Sequence, residues 1–411
     1  MKEPVIASGW GMNSAFAADF PALIAGLEGQ RSISGKPWFA TDGEWQNLRL
    51  NANPCTVPDE PPIRSGIDRI REVIDQALKM AQLNASDLAG KRVRVYIAGS
   101  GMRGDVGDFI GYLDRNDTED LMFFPQIKNL HAREFGQDRL AHTLLEAYSL
   151  SWPPVSLYCA SNSSLAALHL AQSTIAGGGA DLALVIGWTQ MLYQDIVFLG
   201  GLDMLGPKQP QPFSQYSDCV MPANGAVALI IESAQHAANR GFTPQIAISS
   251  SVCYQSGAAR GSSTFSADFR SIAQTLERAI LAADLAPEDI ACVMPHGNGI
   301  ISSDKSESMA LQKVMGKNAV PVVSYKGQFG YISTCSGVLD FMVACDALMK
   351  RRLLPMVLNY PTDESLELDL LVTNEPRPLA QRNILKSGLG IDGSVIAMVL
   401  SACEENLHEL S

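Results

Sequence analysis

Two nucleophile-type side chains, Cys159 and Ser161, stand at the head of the stretch VSLYCASNSSLAALHLAQSTIAGGGADLALVIGWT, residues 155–189. The run Val155–Ser156–Leu157 has β character, and small residues then make a turn. The pattern predicts a helix from about Asn162 to Ile175, stopped by the glycines at 177–179, and a buried strand over Leu182–Gly187. Such a plan puts the turn at a helix N-terminus, where free backbone N–H groups and the positive dipole end gather. A thiol gains most from that position, because nearby donors lower it from ~8.5 to roughly 3.5–7.5. The dipole supplies at most ~2 kcal/mol, about 1.5 pKa units, which leaves a serine hydroxyl protonated. Ser161 therefore needs a general base. His296 can be that base, since it lies in Pro295–His296–Gly297–Asn298–Gly299 directly after the apolar run Ile290–Met294. The other histidines, at 131, 142, 169, 236 and 408, have no motif around them. The blander readings make Ser161 a helix N-cap and Cys159 a buried thiol.

The elements that must position these residues follow from periodicity. Residues 4–11 read as a buried strand closed by a glycine turn, and a helix is expected over about 18–26. Ile70, Ile74, Ala77, Leu78 and Ala81 recur at helical spacing, and 92–98 is a strand ending in Gly99–Ser100–Gly101. The irregular stretch 103–135, with Phe123, Phe124 and Ile127 among charges, is expected to be a lid, tunnel wall or subunit contact. Further strands are expected at 225–232, 245–251, 290–294, 322–324, 368–372 and 394–401, with helices at 266–283, 304–315 and 338–351. The segment VVSYKGQFGYISTCSGVLDFMVACDAL repeats the strand, small-residue turn and helix of the first stretch. The chain thus reads as an α/β protein of two duplicated βαβ-type halves, 1–240 and 241–411, with mostly parallel sheets. A pseudo-twofold between the halves would bring the turns near 161 and 331 together and deliver His296 from a neighbouring strand end.

Composition narrows the function. The 411 residues are 46% hydrophobic and 18% charged, with a net charge of −12, which argues against nucleic acid as a partner. No apolar run approaches the ~18 residues that span a bilayer, and the first residues lack a signal-peptide pattern, so a cytoplasmic protein is expected. The eight cysteines contain no CxxC pair, so neither a metal nor a cofactor is expected.

Over nearly the whole chain the motifs resemble those of the β-ketoacyl synthases, the condensing enzymes of the thiolase superfamily. The opening VIASGWGMNSAFAADFPALIAGLEG resembles that family's glycine-rich start, and QPFSQYSDCVMPANGAVALIIE its PFD–RDGF–GEGAG–LE segment. PHGNGIISSDKSES resembles the HGTGT–GD–E segment through His296, Gly297, Gly299, Asp304 and Glu307. SYKGQFGYISTCSG resembles the K–GH–AG segment, and GLGIDGSVIAMVL stands where the family has GFGGTN. The resemblance implies a thiolase fold with αβαβα layers. It puts Ser161 at the nucleophile position, Tyr331 at the second histidine, Lys326 at the motif lysine, and Ile391 and Asp392 at the gate.

These departures bear on activity. In the family an acyl thioester forms on cysteine, and a malonyl group then decarboxylates in front of it. Loss of one donor to the developing charge typically costs ~10²–10³ in rate. The chain therefore resembles the non-elongating subunit that pairs with a working ketosynthase in type II polyketide systems, the chain-length factor. That resemblance implies a catalytic ketosynthase subunit as partner, a transient acyl carrier protein, and an aromatic polyketide, aryl-polyene-like or fatty-acid-like product. It also implies a tunnel at the subunit interface, for which Phe123, Phe124 and Ile127 are the wall candidates. The alternative is an enzyme, a Ser-dependent acyltransferase or condensing enzyme using Ser161 and His296 on carrier-bound thioesters. A silent homodimer that only binds acyl chains is a third reading.

Overall fold

The apolar runs of the sequence come to lie side by side in one sheet. The computed structural model describes residues 3–57, 66–99, 103–107, 110, 137–255, 268–372 and 374–403. The sheet holds β1 (Val5–Ser14), β2 (Val93–Ala98), β3 (Val155–Leu157), β4 (Leu182–Thr189), β5 (Gly225–Ser233) and β6 (Ile246–Gln255). It continues with β7 (Ile290–Met294), β8 (Pro321–Val322), β9 (Asp369–Leu370), β10 (Asn383–Leu389) and β11 (Ser394–Ala402). Across the sheet the order is β9-β8-β7-β10-β11-β6-β1-β5-β4-β2-β3.

The duplication is visible in this order. In β3-β2-β4-β5-β1 the first two pairings are parallel and the next two antiparallel. The set β8-β7-β10-β11-β6 repeats the same sequence of directions, with β9 added in parallel at its edge. Within the sheet the halves are paired through β1 and β6, where Ile6 and Ala7 meet Ala247 and Ile246. Parallel strands thus occupy the flanks and antiparallel strands the middle.

Six helices matter for the site: α1 (Gly66–Met80), α2 (Ser163–Ala176), α3 (Phe269–Ala282), α4 (Ile301–Met315), α5 (Lys326–Phe329) and α6 (Ser336–Lys350). Amphipathic α1 lays Ile70, Val73, Ile74 and Ala77 on the first half of the sheet. Amphipathic α3 does the same on the second half with Ile272, Leu276, Ala279 and Ile280. Between the halves lie α2 and α6, which pack on each other and on strands of both. Helix, sheet, helix pair, sheet, helix gives the αβαβα layering of the thiolase fold. Because α6 is covered on every side, it is apolar nearly all round, with every residue from Ser336 to Leu348 buried.

The strand β10 was absent from the strands expected from sequence. Its NILKSGL carries Lys386, Ser387 and Gly388 in a stretch that is buried throughout, so the polar residues broke the apolar signal. A helix at Tyr193–Gly201 was likewise not expected. Residues 111–136, including Phe123, Phe124 and Ile127, lie outside the described residues.

The α2–α6 contact allows almost no extra volume. A Cβ on Gly337 would sit 2.4 Å from Cγ of Leu165, inside the closest contact real side chains make. Gly337→Ala is expected to lower stability by about 1–3 kcal/mol, because two packed helices must part. Urea denaturation of the variant against the parent chain measures this.

Candidate active site

The turn before α2 places the candidate nucleophiles. Ala160 adopts a left-handed conformation, φ 45°, which a side chain tolerates only at some cost in free energy. Asn162 N donates to Cys159 O and Ser163 N to Ala160 O, so the turn is closed by its own backbone. Ser163 Oγ accepts from Cys159 N at 2.9 Å. Ser161 is not the N-cap, a place taken by Asn162. Its hydroxyl instead hydrogen-bonds the phenol of Tyr331, from the turn after α5. The two residues are 170 positions apart, and the pairing of the two turns follows the internal repeat.

His296 stands edge-on to the Tyr331 ring, with centroids 6.4 Å apart and planes at 88°. A cavity of about 270 Å³ opens on this group. Ser161, His296, Asn298, Ile300 and Ile391 are among the residues that line it, with Asp203 and Asp218 also on its wall. Cys159 does not line it. Burial, with Asp392 and Cys253 nearby, pushes the Cys159 thiol up and away from thiolate character.

The imidazole of His296 and the phenol of Tyr331 are both held uncharged. Burial, then the charges of Lys326 and Lys386, keep His296 well below the ordinary imidazole value. Burial raises the Tyr331 phenol to about 12. The site therefore offers neutral imidazole and two hydroxyls, without thiolate or imidazolium.

The turn carrying His296 is fixed from α4. Glu307 accepts from His296 N at 2.8 Å and from Gly297 N at 2.7 Å, and Ser387 Oγ also donates to it. Asp304 accepts from Phe213 N at 2.7 Å. Burial raises its carboxyl to about 8.

Lys326 does not face the cavity. It is buried with its ammonium 2.5 Å from Asp340 Oδ2 on α6. Lys386 reaches the same oxygen at 2.7 Å and also donates to Pro295 O at 3.0 Å. Asp392, a gate candidate by the motif resemblance, turns its carboxylate to Ser394, accepting from the backbone N–H at 3.1 Å and the hydroxyl at 2.7 Å. Asn162 Nδ2 donates to Gly388 O, Ser394 O and Ser394 Oγ at 3.0–3.1 Å. Turn 390–393 is thereby tied to the nucleophile turn, and Ile391 remains as a cavity wall. Reasoning from sequence missed Lys386, Asp340 and Asn162. Their one signal was polarity inside apolar or small-residue segments. Asn224, where the family has glutamate, accepts from Met191 N at 2.7 Å.

Comparison with known proteins now gives the class. The family described as β-ketoacyl synthase, N-terminal domain, matches residues 70–237, and β-ketoacyl synthase, C-terminal domain, matches 246–361. The chain belongs to the β-ketoacyl synthase family, and its fold is that family's thiolase fold. It is 26% identical over 304 residues to "Putative polyketide beta-ketoacyl synthase 1" of Streptomyces cyaneus, covering 72% of this chain and 71% of that one. "The ishigamide ketosynthase/chain length factor" superposes with a TM-score of 0.84 at 20% identity, over 98% of this chain and 100% of the other. A second solved structure, "AntDE:AntF (apo): type II PKS acyl-carrier protein in complex with its ketosynthase bound to the hexaketide", gives 0.83 at 20% identity with the same coverage.

The raised carboxyl of Asp304 makes stability depend on pH. Its folded value of about 8 lies above the ordinary ~3.9, so folding retains a proton there. The associated stability is present at low pH and drains away as pH rises through that window. Asp304→Asn keeps an acceptor for Phe213 N–H and is expected to lose less stability between about pH 5 and about pH 8 than the parent chain. Denaturant midpoints at the two pH values give the comparison.

Proposed function

We propose that this chain is a non-elongating ketosynthase-like subunit, a chain-length factor, that pairs with a catalytic β-ketoacyl synthase and shapes the space for a growing acyl chain. The observation that carries the reading is the Ser161–Tyr331 hydrogen bond. It sits where the resemblance puts a cysteine and a histidine, and neither hydroxyl has an anionic form within reach near neutral pH. Carbon–carbon bond formation needs an acyl group loaded on a good leaving atom, then a donor for the enolate. Here the first is an alcohol and the second a phenol already engaged.

The edge of the sheet supports a partner. Among the described residues β3 is the last strand, Val155 and Ser156 are exposed, and Tyr158 just beyond it is 64% exposed. An unpaired strand edge with apolar neighbours is a ready place for another chain to add. The net charge of −12 supports leaving carrier-protein docking to the partner, since acyl carrier proteins are acidic. The names of the structural relatives, a ketosynthase/chain length factor and a type II carrier-protein complex, agree with this assignment. The product class stays within polyketide, aryl-polyene-like or fatty-acid-like chains, and the subunit works in the cytoplasm.

A second reading has its own observation: Ser161 and His296 line one cavity, and a neutral imidazole can accept a proton. That would make the chain an acyltransferase on carrier-bound thioesters.

Incubation with radiolabelled acyl carrier protein separates the two. The isolated chain is expected to take up no covalent label, and co-expression with a ketosynthase encoded beside it is expected to give a complex that survives gel filtration. A hydroxylamine-sensitive ester on Ser161 would establish the acyltransferase instead. Restoring both reactive groups, S161C with Y331H, is expected to turn an unlabelled chain into a labelled one.

A further inference from the structure

We propose that Lys386 is a positioning residue of the Ser161–His296 site, tying the turn that carries His296 to the carboxylate of Asp340. Three elements converge on its ammonium group. Lys386 itself is on β10, where it stands in register with Met294 of β7, two residues before His296. Its Nζ donates to Pro295 O at 3.0 Å and to Asp340 Oδ2 of α6 at 2.7 Å. From α5, Lys326 reaches the same oxygen of Asp340. One carboxylate therefore holds the two turns that supply His296 and Tyr331, each through its own lysine.

The same arrangement sets the charge that His296 feels. Lys326 from α5 and Lys386 from β10 act on it, Tyr331 from the turn after α5 stands edge-on to it, and Glu307 of α4 accepts its backbone N–H, with Asp304 three residues earlier on the same helix. Asp340 of α6 stands behind the lysines. Two ammonium groups in a low-dielectric interior oppose a third positive charge on the imidazole. Glu307, which accepts the backbone N–H of His296, and Asp340 offset them only in part. The imidazole so held resists taking up a second proton, and its one ring N–H can donate a hydrogen bond without the charge of an imidazolium. This inference rests on the geometry of the cage and holds under either reading of the function.

The test follows the His296 resonances by NMR in the full chain with labelled histidine, using exposed His142 as internal reference. Lys386→Met keeps the length and removes the charge, and His296 is expected to titrate at higher pH than in the parent chain. Asp340→Asn removes the anion and leaves both lysines, and His296 is expected to stay neutral to lower pH. Lys386→Arg is expected to return the parent titration. If the variants fold and His296 titrates as before, or if both shift it the same way, the lysine is only structural and the proposal fails. Should Lys386→Met not fold, the direction of the shift in Asp340→Asn decides alone.

Discussion

A carboxylate set into the middle of an apolar helix cannot remain charged without partners, and Asp340 is in that position on α6. Burying one charge without compensation costs several kcal/mol. Asp340 meets that constraint with two lysines from segments 14 and 46 residues further along or back in sequence. The three segments can be buried together or not at all. Glu307, whose carboxyl burial pushes up, is a second acidic group in the same region. The architecture around the cavity is organised by this balance. The helix between the sheets, the strand that carries Lys386 and the turns that carry His296 and Tyr331 all depend on it.

The duplication of the sheet then decides what meets across the middle. Each half directs a strand end and a helix N-terminus inward, and α2 packs on α6 where a glycine lets the two backbones close up. The Ser161–Tyr331 hydrogen bond joins the two turns at that meeting point. A hydroxyl there is chemically quiet for a plain reason. The N-terminal dipole is worth at most ~2 kcal/mol, enough to make a thiolate and far short of making an alkoxide. Burial works in the same direction on the phenol.

Much of this was legible in the sequence, and the illegible part has one cause. Ile70, Ile74 and Ala77 announced α1 by spacing, and the repeated strand–turn–helix plan brought positions 161 and 331 together before any coordinates. Motif likeness put His296 on the turn after β7. Polar residues in buried places were misread. Lys386 and Ser387 hid β10, because periodicity treats a lysine as a surface residue unless its counter-charge is known, and that counter-charge lies 46 positions away. Asn162 was read only as the start of α2, although its amide ties down turn 390–393 through Ser394. The blander reading of Ser161 as an N-cap failed because Asn162 takes that place and the hydroxyl pairs with Tyr331 instead. Long-range pairing of polar groups leaves no local trace.

It follows that fold and reactivity are carried by different residues in this chain. Asp340, Lys326, Lys386 and Glu307 hold the frame, and none of them is an atom that an acyl group would join. Ser161 and Tyr331, which the motif resemblance sets at the reactive positions, satisfy their hydrogen bond with each other. Under the proposed function, changes at these two places leave the packing and the buried ion-pair network intact. What remains is a cavity of defined walls, with neutral polar groups at one end and Ile391 fixed beside them. Under the proposed function such a cavity would hold an acyl chain without committing it to a bond.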